Sequence, residues 1–255
     1  MSEPGHSGVV LSARGLTKSF RGFTAISGVD LDVIAGTIHA VIGPNGAGKT
    51  TLFNLLTRFL KPTSGTIALN GRDLQGTRPH DIARLGMVRS FQISAVFPRL
   101  TVRENVRVAL QQPLGTYLQF WRPKSSLRGL DRRIGDVLDM VGLAEFADSY
   151  AAALSYGRKR VLELATTLAL DPQVMLLDEP MAGLGREDIE RVSGLIREVS
   201  RGRTTLLVEH NLPVVEQLSD TITVLAGGKV IAEGPYREVS RRKAVIDAYL
   251  GGADA

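Results

Sequence analysis

Between two apolar runs, IHAVI and TLFNLL, the chain carries GPNGAGKT, residues 43–50. Glycine inside a helix or strand costs roughly 0.5–1 kcal/mol relative to alanine, so Gly43, Gly46 and Gly48 need a compensating use where a core is being built. A turn would supply one, but a turn requires no lysine at a fixed place. The pattern G-x-x-x-x-G-K-[ST] is met residue for residue by Gly43, Gly48, Lys49 and Thr50, which reads as a phosphate-binding loop. The backbone N–H groups of Gly43, Asn45, Gly46, Ala47 and Gly48 sit where they can converge on an anion, with Pro44, which has no N–H, among them. The helix that starts near Gly48 adds its positive end. Lys49 then reaches the terminal phosphates, and the Thr50 hydroxyl, with Thr51 beside it, is placed to ligate Mg²⁺. Ile38, Val41 and Ile42 supply a strand before the loop, while Leu52, Leu55, Leu56 and Phe59 recur at helical spacing after it. The loop alone does not say which nucleotide is bound or what is done with it.

A chain of 255 residues with 44% hydrophobic content fits one large domain, or one domain with a smaller inserted lobe. No stretch approaches the ~18 uninterrupted apolar residues of a membrane helix, and MSEPGHSGVV lacks the layout of a secretory signal, so a cytoplasmic protein is expected. With no cysteine, thiolate metal sites are excluded, and His6, His39, His80 and His210 are too scattered for a zinc cluster. Any metal is therefore expected to be Mg²⁺ arriving with the nucleotide. The net charge of +5, from 31 basic and 26 acidic residues, is spread along the chain. Its densest groups, SLRGLDRRIG and REVSRRKAV, read as solvated helix faces, and no nucleic-acid partner is expected.

Strands are predicted from VVLSARGLTKSF, ISGVDLDVIAG and TIHAVIG, and hairpins from SGTIALNGRDL, turning at Asn70-Gly71, and ITVLAGGKVIAEG, turning at Gly227-Gly228. PHDIARL starts a short helix at a proline, and GMVRSFQ returns as a strand. Residues 100–170 are predominantly helical by pattern, interrupted by QPLGTYLQFWRPKSSLRG, which holds the only tryptophan and reads as a surface loop. Beyond 171, strands (QVMLLDE, TTLLVEH) alternate with helices, and a last helix is predicted over about Tyr236 to Leu250. Strand–helix alternation around a phosphate loop predicts an α/β fold with a mainly parallel sheet, an antiparallel flank and an inserted helical lobe.

VMLLDEP, residues 174–180, ends an apolar strand in two carboxylates, a costly arrangement unless a cation or a reaction uses them. Beside a phosphate loop, Asp178 reads as the acid on the metal side and Glu179 as the general base that prepares the attacking water. With these residues in hand, the chain from about Val9 to Gly251 resembles the ATP-binding-cassette (ABC) ATPases of the phosphate-loop NTPase class, with a RecA-like core. LSYGR, residues 154–158, stands where that family has its signature, usually L-S-G-G-Q.

The resemblance implies a single ABC ATPase domain over 1–255, with 9–95 and 171–255 as core and β flank and about 96–170 as helical subdomain. It implies a head-to-tail pair of subunits in which Ser155 and Gly157 of one close over ATP held by the other's loop. It also implies roles for Gln92 as the Q-loop residue near Mg²⁺, water and the membrane partner, and for His210 as a switch residue at the γ-phosphate. Phe20 resembles the aromatic that stacks on adenine, although a strand aromatic serves equally as core. MAGLGRE resembles the D-loop. Two departures stand out: Arg158 where the signature usually has Gln, and Gly185 where the D-loop usually has Asp or Asn. They are expected to alter turnover or coupling between subunits rather than abolish binding.

Within the family, RPHDIARLGMVRSFQ, FPRLTVRENV, MAGL, DAYLG and the extra residues between Gln111 and Leu130 resemble the ATPase subunits of branched-chain amino acid importers. That resemblance implies ATP and Mg²⁺ as cofactors and attachment to the cytoplasmic face of the membrane. The implied partners are a second ATPase, identical or paralogous, two permease subunits and, indirectly, a substrate-binding protein. Relatives that carry urea, amides or aromatic acids share these motifs. A soluble cassette acting on ribosomes or DNA would be expected to show tandem cassettes or a long coiled-coil insertion, and a nucleotide-binding regulator to lack Glu179 or His210.

Overall fold

The computed structural model describes residues 8–90, 96–111 and 128–250. The N-terminal part is the long hairpin β1 (Val9–Phe20) and β2 (Phe23–Ile34), followed by β3 (Ile38–Ile42) and α1 (Lys49–Leu56). Then come β4 (Ser64–Leu69), β5 (Arg72–Asp73), α2 (Pro79–Arg84) and β6 (Met87–Arg89). The helical stretch holds α3 (Val102–Gln111), α4 (Arg128–Met140) and α5 (Tyr156–Ala169). The remainder is β7 (Val174–Asp178), α6 (Arg186–Val199), β8 (Thr204–Val208), α7 (Leu212–Leu218), β9 (Thr221–Ala226), β10 (Lys229–Gly234), α8 (Tyr236–Val239) and α9 (Lys243–Leu250).

Two sheets result, and they have different tasks. An antiparallel sheet runs β2-β1-β4-β5, the flank the alternating pattern predicts. The second runs β10-β9-β3-β8-β7-β6, parallel except for β10 at one edge. Strands β3, β7 and β8 are buried at every position, which is why their sequences are continuous apolar runs rather than alternations. Successive residues feed opposite faces. Val41, Leu176, Leu206 and Val208 pack with α1 and the flank, whereas Ile42, Leu177, Leu207 and Val224 pack with the helical side. Parallel pairing sets Val41 beside Val208 and Val208 beside Asp178. The loops that follow β3, β7 and β8 therefore leave from one edge, where open α/β sheets place their ligands.

Both predicted two-residue turns form, with positive φ at Asn70 (50°), Gly71 (74°), Gly227 (53°) and Gly228 (75°), as mirror-image hairpin turns require. The helix after the phosphate loop is shorter than its periodicity suggests. It stops at Leu56 because Arg58 takes a left-handed φ of 61°, leaving Phe59 outside the helix and half exposed. The predicted last helix is two, α8 and α9, separated by a turn in which the Arg242 N–H donates to the Val239 carbonyl. Of the tryptophan-bearing stretch, residues 112–127 lie outside the described residues, whereas Arg128 and Gly129, expected in the loop, open α4. Among the described residues, no helix is long and apolar enough to cross a membrane.

One of the four histidines is built into the sheet. His39 on β3 is almost fully buried, with Nε2 2.8 Å from the Thr223 hydroxyl on β9. Thr223 gives its single proton to Glu233, so the His39 Nε2–H must be the donor to Thr223. Burial holds the imidazole pKa down at about 4, from 6.5. As pH falls from 6.5 towards 4 the unfolded chain takes up a proton that the folded chain refuses, so stability drops through this window. The drop amounts to roughly 3 kcal/mol from His39 alone. Denaturant unfolding at pH 7 and pH 4.5 should show a smaller loss for His39→Gln than for the parent chain; equal losses would contradict this account.

Candidate functional site

The phosphate loop is braced from behind. The Gly228 N–H donates to the Ala47 carbonyl (3.1 Å) and the Ser27 N–H to the Gly228 carbonyl (2.9 Å), so the β9–β10 turn joins the loop to β2. Gly48, at φ 103°, caps α1, and a Cβ there would stand 2.7 Å from the Ala25 carbonyl oxygen and 2.8 Å from Ile26 Cδ1. At Gly43 a Cβ would run into the Leu225 carbonyl. Gly46, at φ 76°, faces open space. Two of the three glycines are thus demanded by neighbouring backbone as well as by the anion their N–H groups can meet.

Lys49 is 8% exposed and bends back to donate from Nζ to the carbonyls of Gly43 (2.7 Å) and Pro44 (3.0 Å). Burial lowers its pKa, while the nearby charges of Glu179 and Asp178 act in the opposite sense. The lysine and the two predicted acids therefore share one region. Asp178 is fully buried at the end of β7. Its Oδ2 accepts from Arg89, and its Oδ1 is buried without a hydrogen-bond partner. Glu179 follows at φ 47°, a left-handed conformation for a non-glycine residue, with its N–H held by the Val208 carbonyl (2.9 Å). Thr50 and Thr51, in the first turn of α1, are exposed and half-buried. An unpartnered carboxylate oxygen with a threonine hydroxyl is a hard-oxygen donor set that fits Mg²⁺.

His210 follows β8 with its side chain 60% exposed. Pattern reasoning passed over the residue before it. Glu209 is fully buried and accepts from the N–H groups of Met181 (3.0 Å), His210 (2.8 Å) and Asn211 (3.0 Å), stapling the loop after β7 to the loop after β8. An acid that ends an otherwise apolar strand, TTLLVEH, was the available signal. Arg89 was also missed.

Ser155 caps α5, its hydroxyl accepting from the Arg158 N–H (3.4 Å). Gly157 is buried against the Asp188 carboxylate of α6, which would have to move to admit a side chain there. Among the described residues, no hydrogen bond or ion pair joins Ser155 or Gly157 to residues 43–51. The neighbouring Tyr156 hydroxyl donates to the Ala182 carbonyl (3.1 Å), joining this turn to the segment after Glu179. Arg158 lies over the Phe146 ring at 4.1 Å, and Gly185 caps α6 with open space around its Cα. Phe20 ends β1 42% exposed, with the Lys18 ammonium 5.0 Å from its ring centroid. Gln92 lies outside the described residues.

A phosphate loop at the edge of a parallel sheet, with a buried lysine and strand-end acids beside it, defines a nucleotide-binding α/β ATPase. Residues 26–182 match the family model for the ABC transporter, and residues 229–255 match that for the branched-chain amino acid ATP-binding cassette transporter. The chain belongs to the ABC transporter family, as an ATP-binding subunit whose ATPase activity is coupled to transport. It is 41% identical to the high-affinity branched-chain amino acid transport ATP-binding protein LivG of Salmonella typhimurium, over 99% of this chain and 100% of that one. With BraF of Pseudomonas aeruginosa, which carries the same description, it shares 39% identity over 96% of this chain and 98% of that one. A crystal structure of the ADP conformation of an ATP-binding cassette of an ABC transporter superposes with a TM-score of 0.87 at 29% identity, covering 96% and 100% of the two chains.

Replacing Gly46 with alanine should cost about 1–2 kcal/mol through its left-handed backbone alone. Gly48→Ala adds a clash with Ala25 and Ile26 and should melt well below Gly46→Ala; thermal unfolding of the two variants side by side checks this, and equal melting temperatures would contradict it.

Proposed function

We propose that the chain is the ATP-hydrolysing subunit of an importer for branched-chain amino acids, attached to the cytoplasmic face of the membrane. The observation that carries this reading is the match of its C-terminal residues 229–255 to the model specific to that transporter group, alongside full-length likeness to LivG and BraF. The core is formed by 9–95 and 171–255, with about 96–170 as a helical lobe. Its partners are a second ATPase, identical or paralogous, two permease subunits and a soluble substrate-binding protein.

Residues 43–51 hold the triphosphate, with Lys49 at its terminal end and Phe20 against the adenine. Thr50, Asp178 and Gln92 would hold Mg²⁺, which would supply charge neutralisation on the phosphate oxygens. Glu179 takes the proton of the attacking water. His210 serves the γ-phosphate, a role supported by the tie of its backbone N–H to Glu209. Ser155 and Gly157 serve the nucleotide of the other subunit, and Gln92 faces the permease. ATP favours the closed pair by binding it more tightly than the open one, and hydrolysis removes that preference.

Two substitutions separate binding from chemistry. Lys49→Ala should weaken ATP binding, whereas Glu179→Gln should bind ATP normally, lose roughly 10²–10⁴-fold in hydrolysis and accumulate as an ATP-loaded pair. Normal turnover in Glu179→Gln would remove the proposed base. For the solute, cells lacking this chain should lose uptake of labelled leucine, isoleucine and valine; intact uptake of all three with loss of urea or amide uptake would overturn the assignment.

A further inference from the structure

Arg89 ends β6, the edge strand of the parallel sheet, and its side chain is only 9% exposed. One guanidinium nitrogen, Nη2, pairs with Oδ2 of the fully buried Asp178. The other, Nη1, donates to Asn54 Oδ1 on α1 at 2.6 Å, and the guanidinium lies 5.7 Å from the centroid of Phe53, on the same helix. A single side chain thus ties the strand-end acid to the helix that begins with Lys49 and Thr50.

Stability does not explain this arrangement. A buried ion pair is commonly no more stable than apolar side chains of the same size, because both charges must leave water. The fold also leaves Asp178 Oδ1 buried and unpartnered while Oδ2 is fully engaged, an expense that makes sense if the free oxygen is kept for something else. We propose that Arg89 is a positioning residue: by fixing one oxygen of Asp178 and anchoring to Asn54, it presents the other oxygen towards the Mg²⁺ that accompanies ATP. The proposal rests on Asp178 being the acid on the metal side. Arg89 does not touch the metal; it acts through Asp178, as the partners of metal-ligating groups do when they hold ligand orientation.

The test measures binding rather than turnover. Equilibrium binding of labelled ATP to the full chain, in a Glu179→Gln background that prevents hydrolysis, is followed as Mg²⁺ is raised from zero. Arg89→Gln should raise the Mg²⁺ concentration for half-maximal binding by roughly tenfold or more, leave ATP binding in EDTA unchanged, and be partly rescued by Arg89→Lys. A shift under about twofold in the folded Arg89→Gln protein would overturn the proposal. Should Arg89→Gln fail to fold, the double variant Arg89→Gln/Asp178→Asn, which removes both buried charges, is compared with Asp178→Asn alone. Equal Mg²⁺ dependence in these two supports action through Asp178, and a further loss in the double variant overturns it. If Asp178→Asn itself leaves the Mg²⁺ dependence unchanged, the metal-side reading of Asp178 falls, a result distinct from failure of Arg89 alone.

Discussion

The buried ammonium of Lys49 is the constraint around which the site is arranged. A cation withdrawn from water needs compensation close by, and here it comes from two carbonyls of its own loop and from Asp178, which ends β7, and Glu179, which follows it. That requirement places the loop and β7 on the same sheet edge. The parallel register of β3, β8 and β7 meets it by ending the three strands side by side. The loop is also held from outside by the Gly228 turn and by β2, so its N–H groups are set before any anion arrives. Such an arrangement lowers the ordering cost of binding.

A second layer of buried polar groups keeps the edge in shape. Glu209 gathers three N–H groups from two different loops, and Arg89 joins β7 to α1. Both spend charge inside the protein, where unpaired groups are costly and fully partnered ones rigidify. The consequence is a sheet edge whose individual side chains sit on short loops yet are tied to the sheet. By contrast, the Ser155–Gly157 turn belongs to the start of α5 and is joined to the segment after Glu179 through the Tyr156 hydroxyl on the Ala182 carbonyl.

Much of this was legible in the sequence where spacing alone carries the physics. The phosphate loop, the strand-end acids and the two glycine-bearing hairpins depend on local pattern, and β1 begins and ends where its alternation does. What could not be seen depends on distant partners. Nothing near Arg89 reveals that its counter-ion is Asp178, far along the chain, and nothing near Gly48 reveals that Ala25 will press against it. Helical spacing likewise continued to Phe59 although a single left-handed residue, Arg58, ends the helix first. Glu209 lay in plain view but was overshadowed by the histidine after it.

Amide hydrogen exchange of the full chain, with and without Mg²⁺ and ATP, tests the central claim that residues 43–50 form a ready anion seat closed by Lys49. The account predicts that exchange slows most in the peptide covering 43–50 at saturating nucleotide, and that the slowing is lost in Lys49→Ala. Saturation with ATP that leaves this peptide exchanging as before, while protection develops elsewhere, would contradict it.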